Sequence, residues 1–339
     1  MLNIVTNNKN VRFLIKRLLQ AIFTIFIISL LSFIVIQAPP GDFATNYVEE
    51  LFNQGENVGE KDIEIMRKMY GLDQPLLVQY FKWFYNLIQG KMGFSLKWGK
   101  PVKELISERL ANTIYVSLTG FLIVYIFGIP IGILSATKQY SIFDYFITFF
   151  GFIGLAIPTF LLALMVMWLV YAWTGSTVTG LFSVEYEKAP WSFMKLIDLL
   201  KHIWLPGLVI GLTQMAGLIR VLRANLLDEL EKPYVMVARA KGLSPLAVLF
   251  RYPVRIAVNP VISTIGWILP ALVNGELMAA MVMGLPTIAP LLLESLRYQD
   301  MFVAGGIIFL VSILTVIGTF ISDILLMIFD PRINLTGDE

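Results

Sequence analysis

The chain has 339 residues, of which 57% are hydrophobic and 15% are charged, and its formal net charge is +2 at pH 7. A soluble domain usually carries about 25% charged residues, so this composition, with its apolar residues clustered in long runs, excludes a soluble domain and predicts a protein whose solvent is lipid. The small net charge excludes nucleic acid as a partner, and the absence of cysteine excludes disulfides, thiolate metal sites and cysteine nucleophiles.

The first predicted element is an apolar run from Leu18 to Ile36. Four basic residues precede it: Lys9, Arg12, Lys16 and Arg17. A run of about 19 residues is long for the apolar region of a secretory signal but fits a membrane span. Residues 37–40 also make a poor cleavage site. We therefore predict a retained first span.

An outer segment of about 75 residues follows, and its pattern is not that of a plain linker. Ile63, Met66 and Tyr70 recur at helical spacing, and residues 71–75 form a helix stop and turn. Leu76–Ile88 is a second amphipathic stretch, rich in aromatic residues. It is too short and too charged to span, so we expect it to lie at the membrane surface or to cap the outer mouth.

Six segments have the ~20 apolar residues that are needed to cross ~30 Å of hydrocarbon, and they predict an all-α polytopic membrane protein. The predicted spans are Leu18–Ile36, Thr113–Ala136, Tyr145–Ala172, Ile203–Leu222, Val258–Met283 and Met301–Phe329. The predicted divisions are the N-terminus with the first span (1–36), an extracytoplasmic segment with amphipathic helices (37–112), a five-helix core with a cytoplasmic loop at 223–257 (113–329), and a cytoplasmic tail (330–339).

The distribution of Lys and Arg sets the predicted orientation. With the N-terminus inside, the short cytoplasmic segments carry thirteen Lys and Arg residues and the short outer loops carry four. Short loops rich in basic residues stay on the cytoplasmic side. Both termini are therefore predicted to be cytoplasmic.

The loop between the fourth and fifth spans has the most informative pattern. Acidic residues at 228, 229 and 231 lead to Pro233, and Arg239 and Lys241 come just before Gly242. Acids before a helix, bases in its last turn and a glycine after it predict a short helix from about Pro233 to Lys241. Ala238 and Ala240 have small side chains, which would allow a partner to approach this helix closely. The loop is then either a basic hairpin that only sets orientation or a helix that docks in the groove of a partner.

Residues 234–243, Tyr-Val-Met-Val-Ala-Arg-Ala-Lys-Gly-Leu, resemble the EAA coupling-helix motif of binding-protein-dependent importer permeases, in particular their dipeptide, oligopeptide and nickel branch. Further likenesses follow in the same order along nearly the whole chain. They are Gly71–Pro75, Gln79–Tyr80, Pro101–Thr113, Asp323 and Asp330–Arg332.

This resemblance implies a type I ABC importer permease fold, with the chain forming half of a translocation path for oligopeptides. It also implies four partners beside membrane lipid, namely a second homologous permease subunit, two ATP-binding subunits and an extracytoplasmic solute-binding protein. The chain itself would bind no cofactor and catalyse no reaction, since ATP and Mg are used by the partner subunits. The location implied is the inner membrane of a bacterial or archaeal cell. The residues expected to dock on an ATP-binding subunit are Tyr234, Val237, Ala238, Arg239, Ala240, Lys241, Gly242 and Leu243.

The chain departs from that branch at two places. The run Ala280–Ala289 lacks the acidic residue and both glycines of the family pattern, and Lys91-Met92 replaces an acidic-apolar pair after Gly90. These departures leave the solute open. An oligosaccharide or a nickel chelate is the alternative to an oligopeptide.

Glu276, with Asn274 beside it, is the candidate for the translocation path, because a charge within a span usually faces a cavity or a partner. The alternative is a hydrated residue near the interface without a role. A secondary transporter or channel remains the rival class, although the predicted spans offer only Glu276 and Asp323 as a charge relay. The chain has no phosphate-binding loop, no intramembrane nucleophile and base, and a single histidine, His202, which we expect to be structural.

Overall fold

The computed structural model describes residues 8–38, 41–55, 58–95, 97–176, 179–265 and 277–329. Most of these residues are helical, which confirms the predicted helical fold class. The first part contains α1 (Asn8–Gln37), α2 (Phe43–Asn53), α3 (Glu60–Tyr70), α4 (Leu76–Ile88), the antiparallel pair β1 (Phe94–Ser95) and β2 (Lys100–Pro101), and α5 (Val102–Thr137). The middle contains α6 (Ile142–Ala156), α7 (Thr159–Thr174), α8 (Val184–Glu187) and α9 (Phe193–Leu230). The last part contains α10 (Pro233–Ala240), α11 (Pro245–Arg251), α12 (Pro253–Ala257), α13 (Leu277–Val282), α14 (Ile288–Arg297) and α15 (Met301–Phe329).

Four helices of the described part are long and apolar enough to cross a membrane, and a fifth span is possible if the bent pair α6–α7 counts as one. The four are in α1, α5, α9 and α15, where the first, second, fourth and sixth spans were predicted. The predicted fifth span, Val258–Met283, includes residues 266–276 and so lies partly outside the described residues.

The predicted third span, Tyr145–Ala172, is not one straight helix in the structure. The segment is bent by 113° between α6 and α7. Ile157 lies in the extended region, with φ −82° and ψ 126°. Proline disfavours the helical conformation of the residue before it and has no N–H to continue the helix, so Pro158 explains the break.

Contacts divide the chain into two units. Unit A comprises residues 14–113 and 287–314, and unit B comprises the described residues of 1–13, 114–286 and 315–339. The core of unit A joins α1, α4 and the start of α15. Its buried members are Phe33, Ile36, Tyr80, Trp83, Leu87, Met301 and Ala304.

The β1–β2 hairpin of unit A is fixed to the start of α15 by a buried carboxylate. Ser95 Oγ donates to Asp300 Oδ2 at 2.6 Å, and the Val303 N–H donates to Oδ1 at 3.1 Å. Burial raises the pKa of the Asp300 carboxyl, while these hydrogen bonds act in the opposite direction. Asp300 thus stabilises the N-terminus of α15.

Unit B is built around α9. This helix contacts α6, α7, α12 and α13. Leu205, Leu222 and Leu226 of α9 are fully buried in a core that also takes Val124 from α5 and Ala279 from α13. The same helix leaves the core at its C-terminus and leads directly into α10, so the core positions the loop that the sequence singled out.

Candidate functional site

The loop after α9 folds into a short helical hairpin. Lys232 has an extended backbone and Pro233 opens α10 at its first turn, the position where proline is preorganised for a helix. Gly242 follows the end of α10 with φ +77°, the left-handed conformation predicted for it. Ser244 then caps α11, its Oγ accepting a hydrogen bond from the Ala247 N–H at 3.4 Å.

The two helices of the hairpin share a small core of their own. Val235, Ala238 and Val248 are buried against one another, and the half-buried Tyr234 and Leu243 pack around them. The expectation that Ala238 belongs to a low exposed surface is therefore wrong. Its side chain is only 4% exposed, because α11 covers that face of α10.

The opposite face of α10 is exposed. Val237, Arg239 and Ala240 of the predicted docking set lie on it, and Lys241 and Gly242, which follow the helix, are exposed too. Met236 lies there too, with 61% of its surface exposed, and the sequence reasoning missed it. Met236 is two residues from Ala238, which puts the two on different sides of the helix, but only the burial of Ala238 shows which side is exposed.

The start of α10 is bound to its neighbours. The Tyr234 hydroxyl donates to the carboxylate of Glu229 in the last turn of α9, and the Tyr234 ring lies 6.4 Å from the ring of Tyr252, which precedes α12. The acidic residues expected to stabilise the N-terminus of α10 through its helix dipole are not in that helix. α9 extends to Leu230, and the first turn of α10 contains no acidic residue. Asp228 and Glu229 instead belong to the end of α9.

A partly buried ion pair holds the C-terminal part of α9. Arg223 Nε and Nη2 donate to Asp144 Oδ1 and Oδ2 at 2.8 and 2.7 Å. The Ser135 hydroxyl and the Tyr140 N–H donate to the same carboxylate, whose side chain is 3% exposed. Asp144 therefore joins the end of α5, the start of α6 and α9 through one residue.

The sequence reasoning missed this pair. It counted Arg223 only as a positive charge of the inner side and considered only Glu276 and Asp323 as acids within the spans. Asp144 is the one acid in the first turn of the apolar helix α6, and that isolation is the available signal. Glu276 and Asn274 lie outside the described residues. Among the described residues, no group of His, Cys, Asp and Glu has the arrangement of a metal site.

The long apolar helices define a multi-pass membrane protein, and the α10–α11 hairpin is not part of any of the candidate spans. Residues 128–335 match the family model of the binding-protein-dependent transport system inner membrane component, and residues 10–119 match that of the N-terminal part of such components. The chain belongs to this family and is a permease of the ABC importers, as the coupling-helix motif predicted. Family membership decides against the secondary transporter or channel.

The chain is similar over nearly its whole length to several transport permeases. It is 36% identical over 326 residues to the oligopeptide transport system permease protein AppB of Bacillus subtilis, covering 95% of this chain and 99% of the relative. It is 29% identical over 334 residues to the dipeptide transport system permease protein DppB of Alkalihalophilus pseudofirmus, covering 94% and 98%. A putative peptide permease of Brucella suis is 29% identical over 333 residues, covering 96% and 99%.

Proposed function

We propose that this chain forms half of the translocation path of an ATP-driven importer for oligopeptides, and that α10 couples closure of the ATP-binding subunits to alternating access. Its partners are a second homologous permease, two ATP-binding subunits and an extracytoplasmic solute-binding protein, in the inner membrane of a bacterial or archaeal cell. ATP and Mg belong to the ATP-binding subunits. The chain binds no cofactor of its own and is not an enzyme.

The observation that carries the coupling proposal is the way α10 is held. It is a short helix with one face buried in its own hairpin, and the other face presents Met236 and Val237 beside Arg239 and Lys241. An exposed face that combines apolar and basic residues suits a groove on another protein. The hydrogen bond from Tyr234 to Glu229 ties the start of α10 to the end of α9, so a force on the exposed face moves the two helices together.

The Asp144–Arg223 pair extends this path into the membrane. Arg223 lies two helical turns before the end of α9, and its bidentate bond to Asp144 ties that part of α9 to the α5–α6 turn. Movement of α10 therefore carries α5 and α6 with α9. Closure of the ATP-binding subunits would thus move α5, α6 and α9 together.

The solute proposal rests on the relatives, whose names refer to oligopeptides, dipeptides and peptides. The departure from the family pattern at Ala280–Ala289 supports no other solute. Ala280, which stands where the family pattern has its acidic residue, is buried in the core of unit B beside Met283 and Leu285, so this position is used in packing.

Uptake by reconstituted importer tests the proposed function. We expect ATP-dependent accumulation of a labelled pentapeptide in proteoliposomes that contain this chain and the subunits that co-purify with it. Oligosaccharide and nickel chelate should stay outside, and omission of the solute-binding protein should remove the uptake. Accumulation of oligosaccharide or nickel chelate in preference to peptide would refute the proposed solute class.

Glu276 is proposed to face the translocation path, on the strength of the sequence alone. Glu276→Gln keeps the shape of the side chain and removes its charge, so we expect a changed rate of peptide uptake at saturating binding protein and ATP, while the affinity of the binding protein for peptide is unchanged. Thermal stability of the same complex is the control. Unchanged uptake with equal or higher stability would favour the alternative of a hydrated interfacial residue.

A further inference from the structure

Helix α4 of unit A has no part in the coupling proposal, but it has one buried face and one exposed face. One face is buried, with Tyr80, Trp83 and Leu87 at most 5% exposed. Trp83 packs directly on α15 at Gly305, where an added Cβ would lie 2.4 Å from Trp83 Cζ2. α4 is therefore fixed against α1 and α15 by close packing.

The contacts of the buried face show how far along the spans α4 lies. The Tyr80 hydroxyl is 2.9 Å from Ser29 Oγ of α1, and the Phe84 ring is 6.4 Å from the Phe309 ring of α15. Ser29 and Phe309 both lie inside apolar candidate spans. Each is about 12 Å from the end of its span, at Gln37 and Met301, given a rise of ~1.5 Å per residue. This depth is within the hydrocarbon region of one leaflet.

The remainder of α4 is exposed and is itself split in two. Leu77, Phe81, Tyr85 and Ile88 form a stripe along the helix, with exposed fractions of 69%, 58%, 65% and 64%. Their spacing of three and four residues places them on one side of the helix. We call these four residues the apolar stripe.

A polar strip lies beside the apolar stripe. It consists of Lys82 and Asn86, which are both exposed and four residues apart. Lys82 Nζ donates to Gln74 Oε1 at 2.7 Å, so the ammonium group is held toward the start of the helix. A helix with adjoining apolar and polar faces, both exposed, is typical of the boundary between lipid and water.

We infer that α4 is embedded in the outer leaflet, with its apolar stripe in contact with lipid acyl chains and its polar strip facing the headgroups and water. The occupant is lipid because the buried face touches α1 and α15 at membrane depth and the stripe carries no charge. Its one polar group is the Tyr85 hydroxyl, and tyrosine is common where lipid meets water. The aromatic and aliphatic side chains of the stripe are those found at such boundaries. This inference is independent of the proposed solute.

The sequence contains no cysteine, so each substitution introduces a single thiol into this chain. Phe81→Cys on the apolar stripe and Lys82→Cys on the polar strip form a matched pair of neighbours. Each would be labelled with bimane in the complete importer, reconstituted in phosphatidylcholine vesicles with or without brominated acyl chains. Glu64→Cys in α3 serves as an aqueous control, because its side chain is 69% exposed.

We expect brominated lipid to quench the label at position 81 at least twofold more than the label at position 82, and aqueous iodide to quench in the reverse order. Equal iodide quenching at 81 and 64 would overturn the inference, since the stripe would then face water. Quenching of position 81 by neither agent would also overturn it, because a protein would then cover the stripe. Tyr85→Cys and Ile88→Cys provide the same test if Phe81→Cys does not assemble.

Discussion

Replacement of Gly242 by valine is expected to uncouple ATP hydrolysis from transport and to reduce peptide uptake at least tenfold. Gly242 has φ +77°, a conformation that a β-branched residue adopts only with strain of about 1–3 kcal/mol. No heavy atom lies within 4 Å of the position that a Cβ would take, so the cost is conformational and not steric. The end of α10 should shift to relieve it, which displaces the proposed docking face.

Uptake and ATPase activity of the reconstituted complex measure this effect together. Gly242→Asn is the matched control, because asparagine tolerates the left-handed conformation and should retain most of the coupling. Expression and membrane insertion should be normal for both variants. Wild-type uptake and wild-type stimulation of ATP hydrolysis in Gly242→Val would disprove the coupling role of this turn.

Removal of the Asp144 carboxylate is expected to have the largest effect on stability. Asp144→Ala leaves Arg223, Ser135 and the Tyr140 N–H without their common acceptor. Breaking a buried ion pair by removal of one partner costs about 3–5 kcal/mol. We expect a loss near 3 kcal/mol, since the Arg223 side chain is 26% exposed and water compensates it in part. The midpoint of thermal denaturation of the purified complex measures the loss.

Two variants separate the ion pair from a general effect of charge. Arg220→Met removes an exposed guanidinium one turn away on α9 and should change the free energy of unfolding by less than about 0.5 kcal/mol. The double variant Asp144→Leu with Arg223→Met should be more stable than Asp144→Ala, because neither charge is left without its partner. A loss from Arg220→Met as large as that from Asp144→Ala would contradict the proposed role of the pair.

The elements with strong local signals were predicted well. The bounds of α4 match the predicted stretch Leu76–Ile88, because residues 71–75 before it form a turn and its apolar residues recur at helical spacing. Residues close in sequence also predict α10 and its end, because Pro233 begins the helix and Gly242 follows it in the left-handed conformation. Such signals act within a few residues and need no knowledge of tertiary contacts.

The features that depend on tertiary contacts were not predicted. Arg223 and Asp144 are 79 residues apart in the chain, and their pairing follows from the packing of α6 on α9. The burial of Ala238 depends on α11 covering one face of an eight-residue helix, which is too short for its periodicity to define an inner side. Local sequence does not distinguish Pro158, which breaks a helix, from Pro130 and Pro206, which lie within continuous helices.

The bend between α6 and α7 has a consequence for the bilayer. At ~1.5 Å per residue, α6 and α7 are about 22 and 24 Å long, and two such rods joined with a bend of 113° reach only about 26 Å from end to end. The hydrocarbon core of a typical membrane is ~30 Å thick. If this pair completes one crossing, the lipid beside it has to thin by at least about 4 Å, at a cost of fractions of a kcal/mol per ångström of mismatch. Import activity should then depend on the acyl-chain length of the surrounding lipid and fall in thicker bilayers.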